Sequence, residues 1–154
     1  MSTIEHNKLV LAERILVAQR AKTDLFFFAT EILGYRDFGK IHKILCHELE
    51  NRAKDGAIVW LLPRFHFKTT LINEAYNLWL QIQKPRRILL VSATLSVCED
   101  MLRRLKIHIR SSQFQKYFPE IKIVPPDRGD QLFLEGNRWG EANFEITSPE
   151  HNVV

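Results

Sequence analysis

At 154 residues, with 45% apolar and 26% charged side chains, the chain is long enough to bury its own core, which excludes a disordered or fibrous protein. A net charge of +4 is compatible with contact to nucleic acid or a triphosphate and demands neither. No apolar run approaches the roughly 18–20 residues that span a bilayer, and charges interrupt every apolar stretch near the amino terminus, so neither a transmembrane helix nor a signal peptide is expected.

Residues 3–21 read as a helix, with Leu9, Leu16 and Val17 as buried candidates and Lys8, Glu13, Arg14 and Arg20 solvated. Asp24 is placed to cap a second apolar segment, 24–33, whose Phe26, Phe27 and Phe28 read as core rather than as a ligand platform. Gly34 ends it, and residues 35–39 form a loop. A third helix over 41–54 turns Ile41, Ile44, Leu45 and Leu49 to one side, with Gly56 as its stop. The two cysteines, Cys46 and Cys98, fall inside helices and read as reduced thiols of a cytosolic protein.

Strand formers follow at 58–62 (Ile-Val-Trp-Leu-Leu). Next comes Pro63-Arg64-Phe65-His66-Phe67-Lys68-Thr69-Thr70, and then a helical pattern with Leu71, Ile72, Ala75, Leu78, Trp79 and Ile82 on one face. A strand, a short loop and a helix opening on Lys-Thr is the arrangement that holds a nucleotide's phosphates. Main-chain N–H groups and the helix dipole face the oxygens, Lys68 reaches the β- and γ-phosphates, and the Thr69 hydroxyl ligates magnesium. The general pattern G-x-x-x-x-G-K-[ST] places glycine at 62 and 67, where this chain has Leu62 and Phe67. Phe67 is therefore expected to keep ordinary backbone angles and to turn its ring from the ligand. A strand–helix connection whose Lys-Thr-Thr merely opens a helix is the alternative reading of these residues alone.

Residues 84–87 form a proline-containing turn, and 88–91 (Ile-Leu-Leu-Val) an uninterrupted apolar strand of the kind covered on both faces. Ser96 and Glu99 have capping-box spacing, and the helix they open turns Met101, Leu102, Leu105 and Ile109 inward. Arg103, Lys106 and Arg110 share another side at i, i+3 and i+7. They suit either DNA phosphates or a solvated helix face. Histidine and cysteine spacings predict no structural zinc. Residues 114–118 read as a short amphipathic turn stopped by Pro119, and 121–124 as a strand. Residues 132–134 and 143–146 read as a hairpin joined through 136–140, with Trp139 a packing residue. Strands alternating with helices over crossovers this long predict a mainly parallel sheet.

The loop Pro63–Thr70, its helix and the following Pro85-Arg86-Arg87-Ile88-Leu89-Leu90-Val91-Ser92-Ala93-Thr94 together resemble the ATPase domain of the large subunit of tailed-phage terminases, the motors that package DNA into capsids. The likeness runs from about Asp24 to the end. The family's loop reads proline, arginine, glycine, any residue, glycine, lysine, then serine or threonine. Pro63, Arg64, Lys68 and Thr69 match it, and Phe65 and Phe67 replace the glycines.

The resemblance implies an α/β, P-loop NTPase-like three-layer fold with a mainly parallel sheet, incomplete. Residues 1–56 would form N-terminal helices, and 57–154 a partial ATPase core with a C-terminal β-hairpin. It implies ATP and Mg2+ at residues 63–70, Thr69 being the metal ligand, with Phe38 and His42 near the adenine. Implied partners are double-stranded DNA through Arg103, Lys106 and Arg110, the portal protein and the small terminase subunit. The implied setting is the cytoplasm of a bacterial host, phage or prophage encoded, with no membrane.

Hydrolysis also needs an acidic residue at the end of an apolar strand. Asp127 and Glu135 are the nearest candidates, and neither matches the family's position. In the family that strand and a nuclease domain come after the point where this chain ends. The expectation is an N-terminal, nucleotide-binding part of a terminase large subunit, inactive alone, either incomplete or completed by a separate chain that supplies the missing half. Two other readings stay open. One is a non-catalytic P-loop-fold module binding nucleic acid or a partner protein, with Phe65 and Phe67 filling the pocket. The other is a helicase-like motor fragment.

Overall fold

The computed structural model describes residues 3–52, 59–84, 88–124 and 145–147. Helix α1 (Thr3–Thr23) reaches the body of the protein only with its carboxyl-terminal half. Ala21 is fully buried there, and the Trp79 indole donates to its carbonyl at 3.0 Å. Arg14 donates to the Lys116 carbonyl. Leu9 and Leu16 are 59% and 65% exposed, contrary to expectation. The reason is that this half of α1 carries apolar residues on several sides and only one side meets a neighbour: Val17 and Ala18 pack on the core.

Asp24 caps α2 (Leu25–Phe27) as expected, its carboxylate accepting from the Phe27 N–H at 2.7 Å. The chain continues through a π-helical turn (Phe28–Ile32), and Gly34 leaves it at φ +80°, a region open to glycine at no steric cost. Helix α3 (Lys40–Arg52) buries His42, Leu45, Cys46 and Leu49, while Ile41 and Ile44 face solvent. The buried stripe is thus rotated from the expected one, because His42 has partners inside.

The helix after the 63–70 loop begins as a π-helical segment (Thr70–Tyr76) and continues as α4 (Asn77–Gln83). Its predicted face is correct: Leu71, Ala75, Leu78, Trp79 and Ile82 are buried, and Ile72 packs against them. Helix α5 (Leu95–Arg110) buries Leu105 and Ile109, with Leu102 half-buried against the core. The expected Ser96–Glu99 capping box is absent. The helix starts two residues earlier, at Leu95, and its cap residue Thr94 makes no capping bond to the helix backbone, its hydroxyl lying 3.2 Å from that of Ser96. Ser111 caps the short α6 (Ser112–Tyr117), accepting from the Phe114 N–H at 3.2 Å.

One apolar core runs from Ala21 to Ile121. Its largest fully buried side chains are three rings: Phe28 meets Phe114 edge-on at 6.4 Å and Phe118 at 6.3 Å, a geometry in which ring edge meets ring face.

The expected three-layer α/β fold is not what forms. Among the described residues there is no parallel sheet. The only strands are β1 (Lys122–Val124) and β2 (Glu145–Thr147), antiparallel with Ile123 opposite Ile146. The segments 59–62 and 88–91, expected as central strands, belong to no ladder. Their apolar composition reports a demand for cover, whereas a strand also needs a neighbour for its backbone. The predicted turn at 85–87, the stop at Gly56, the strand at 132–134, the connection 136–140 with Trp139, and Asp127 and Glu135 lie outside the described residues.

Truncating Phe28 leaves a cavity against two rings. Phe28→Ala is expected to lower unfolding stability by about 3–5 kcal/mol in urea titration. Leu16→Ser, at an exposed position, is expected to change it by less than about 0.5 kcal/mol.

Candidate functional site

The 63–70 loop is set by its backbone. Phe65 has φ +66° and Phe67 has φ +47°, and these are the only non-glycine residues at positive φ among those described. The sequence-based expectation of ordinary angles at Phe67 is therefore wrong: both phenylalanines occupy the left-handed region, where a Cβ-bearing residue loses roughly 1–2 kcal/mol. The sign of φ alternates from Arg64 to Lys68. Such alternation turns successive N–H groups toward one side and makes a concavity suited to an anion. Helical bonding starts at the same place, with the Leu71 N–H donating to the Phe67 carbonyl at 2.8 Å.

Side chains hold this turn from three directions. The Lys68 ammonium donates to the Leu62 carbonyl at 2.9 Å, linking the two ends of the loop. His66 Nδ1 donates to the Arg64 carbonyl at 3.0 Å. His42, buried in α3, accepts from the Gly39 N–H through Nδ1 at 3.0 Å. That bond leaves the ring proton on Nε2, which donates to the His66 carbonyl at 3.3 Å.

Behind the loop stands a stack of rings. Tyr35 and Phe38 lie 5.1 Å apart at 18°, and Phe38 and His42 lie 4.6 Å apart at 7°. Phe67 leans on the end of the stack, 6.1 Å from Phe38 and 5.9 Å from His42. Phe65 does the opposite, being 97% exposed against 42% for Phe67. One ring thus points to solvent and the other to the aromatic stack. Pro63, Arg64, His66 and Thr69 are exposed, and Lys68 and Thr70 half-buried. The structure thus gathers the predicted loop residues and brings Phe38 and His42 up to them.

One cluster escaped sequence reasoning. Glu74 is buried on the helix that follows the loop. Its Oε2 accepts from the Tyr35 hydroxyl at 2.8 Å and lies 3.5 Å from His108 Nε2, while Oε1 accepts from Arg104 at 3.3 Å. His108 Nε2 is also 2.6 Å from the Tyr35 oxygen. Burial alone pushes the Glu74 carboxyl up, but the bonds from His108 and Tyr35 and the charge of Arg104 outweigh it. The group is held below the ordinary carboxylate range. Burial first, and then the Glu74 carboxylate, drive the Tyr35 hydroxyl far up, so it stays a donor. A signal existed in the sequence: at i+3 from Leu71 and i−1 from Ala75, Glu74 falls inside the apolar stripe, and a buried acid must be paired.

The predicted basic face is less open than its spacing suggested. Arg103 pairs with Asp100 at 2.5 Å, Lys106 is half-buried and also engaged, and Arg110 is exposed. Among the described residues no group of three or more His, Cys, Asp or Glu side chains is placed to hold a metal. The Thr69 hydroxyl is a single oxygen, which suits magnesium only alongside phosphate oxygens and water. Cys46 and Cys98 are free thiols, and burial pushes the Cys46 thiol up to about 12. No helix among the described residues is long and apolar enough to cross a membrane. No family model, no curated protein and no solved structure matches the chain.

Phe65 has strain to relieve and no packing to lose. Phe65→Gly removes a left-handed cost of about 1–2 kcal/mol, offset by about 0.4–1 kcal/mol of added unfolded-chain freedom. It is expected to stabilise by about 0.5–1 kcal/mol in urea titration, whereas Phe67→Gly also forfeits ring contacts and gains less. Because the Glu74 carboxyl titrates lower folded than unfolded, its stabilisation is complete above the ordinary carboxyl range, near about pH 4.3. It is lost as the pH falls through the folded-state value. Glu74→Gln is therefore expected to be less stable at pH 7 and to show a flatter decline between about pH 5 and 3 in acid-unfolding curves.

Proposed function

We propose that the 63–70 loop holds the phosphates of ATP bound with magnesium. In this reading the chain is the nucleotide-binding part of a phage or prophage terminase large subunit, the motor that packages double-stranded DNA. The observation that carries the reading is the left-handed backbone at Phe65 and Phe67. Those are the two positions at which the resembled family has glycine, and a chain with no use for the concavity would be relieved of strain by losing it.

Each residue then has a task. Main-chain N–H groups from Phe65 to Thr70 face the phosphate oxygens. Lys68 leaves the Leu62 carbonyl for the β- and γ-phosphates, and the Thr69 hydroxyl joins the magnesium shell. Phe67 is the ring left open to the base, with Phe38 and His42 buried behind it. Arg103, Lys106 and Arg110 meet DNA phosphates, with the portal protein and small subunit as further partners. Glu74 is engaged by Tyr35, Arg104 and His108 and does not serve as the acidic group of hydrolysis. In this reading turnover by this chain alone is negligible.

The Lys68–Leu62 bond favours a second reading, a module that binds nucleic acid or a partner protein and has no use for nucleotide. Titration calorimetry separates the two. The expected result is weak, magnesium-dependent ATP binding that falls about tenfold or more in Lys68→Ala, the loss of a charge-assisted bond. Absence of heat at millimolar ATP, or equal binding by Lys68→Ala, defeats the first reading.

A further inference from the structure

Helix α3 is closed at its start by a histidine. Gly39 stands just before the helix, and its carbonyl accepts the first helical bond, from the Lys43 N–H at 3.2 Å. The third helical residue can then reach back to the N–H at the cap position, a task usual for glutamate or glutamine. Here His42 performs it, Nδ1 accepting from the Gly39 N–H at 3.0 Å.

A carboxylate in that place would bring only lone pairs. An imidazole brings a second nitrogen, and a bare Nδ1 puts the proton on Nε2. The ring is 6% exposed, so that N–H needs a partner inside the protein. It meets the His66 carbonyl at 3.3 Å, and His66 lies between the two left-handed residues Phe65 and Phe67. The peptide joining His66 to Phe67 is planar and trans, so anchoring its carbonyl on α3 aims the Phe67 N–H the opposite way. Two other side-chain bonds brace the loop, Lys68 to Leu62 and His66 to Arg64, and both begin and end between residues 62 and 68. Such bonds can travel with the loop. Of the three, the one from His42 ties it to another element, and stacking on Phe38 at 4.6 Å and 7° fixes the plane in which Nε2 points.

We infer that His42 is the positioning residue of the 63–70 loop: the cap bond of α3 sets its tautomer, and that tautomer anchors the peptide whose N–H faces the anion. The imidazole itself touches no ligand in this role. Its effect on ATP rests on the nucleotide reading above, whereas its effect on the loop backbone stands without it.

Two variants of the whole chain separate the bond from the ring. His42→Gln keeps one acceptor and one donor on a single amide and gives up the ring, and His42→Phe keeps the ring and gives up both bonds. Nitrogen-15 spectra of the parent are expected to show His42 protonated at Nε2 and bare at Nδ1. Phe65 and Phe67 are expected to give the strong intraresidue amide–Hα cross-peak of left-handed residues. His42→Gln retains both cross-peaks and binds ATP within about threefold of the parent, while His42→Phe loses that of Phe67 and binds about tenfold more weakly, the loss of one bond. A proton on Nδ1, cross-peaks retained in His42→Phe, or cross-peaks lost in His42→Gln each overturn the inference. Should His42→Phe not fold, the tautomer and His42→Gln still decide. A parent that binds no ATP defeats the nucleotide reading and leaves the cross-peaks to judge His42.

Discussion

The rest of the structure hangs on one carboxylate. Glu74 is 3% exposed, and an ionised carboxyl at that depth costs several kcal/mol unless donors surround it. Tyr35, Arg104 and His108 are those donors, drawn from the loop after the π-helical turn and from α5. They lie far from Glu74 in sequence, 39 residues for Tyr35 and 30 for Arg104. Two elements are thereby fixed around the helix that follows the 63–70 loop. Apolar packing alone tolerates sliding, because one leucine replaces another at small cost. A buried acid with named donors does not, since each lost bond leaves a polar group unsatisfied.

The same constraint reaches the candidate site through Tyr35. Its ring stacks on Phe38, Phe38 on His42, and Phe67 closes the stack from the loop. The aromatic stack behind the 63–70 loop is therefore an extension of the Glu74 network. This bears on how two phenylalanines hold left-handed angles together, a strain of roughly 2–4 kcal/mol. That is a large share of the roughly 5–15 kcal/mol by which a domain is stable. Such strain persists only where the surroundings over-determine it. Here Lys68 bonds across the loop, His66 bonds back to Arg64, and His42 holds the His66 carbonyl from α3. Phe67 recovers part of its cost by packing, and Phe65 recovers none.

Helical faces were legible in the sequence where one side of a helix is apolar and meets the core. The stripe from Leu71 to Ile82 and the pair Leu105 and Ile109 are such cases. Legibility failed where burial is decided by partners far away in the chain. Leu9 and Leu16 look like core by composition, yet α1 runs past the body before reaching it. Ile41 and Ile44 look inward-facing until His42, with bonds to Gly39 and His66, turns the helix around itself. A loop followed by a helix was legible at 63–70, but the backbone at Phe67 was misread. Bulky residues argue for ordinary angles, and only the geometry reveals Phe65 and Phe67 in the left-handed region.

The failed parallel sheet has a related cause, and it shows what an apolar run can and cannot say. Residues 58–62 were expected to form a strand from their strand-forming side chains, and 88–91 a strand covered on both faces because its run of isoleucine, leucine and valine is uninterrupted. One face of each does have cover, through Trp60, Leu62 and Leu90. Composition had thus reported a real demand, half of which the described chain meets. The unmet half is visible in the carbonyls of Leu62 and Leu90, which take an ammonium and a thiol where a ladder would supply N–H groups. A thiol is a weak donor, and a lysine held there is withdrawn from any anion. Both contacts satisfy carbonyls that join no ladder among the described residues, so the apolar pattern and the hydrogen bonds single out the same two stretches from independent directions.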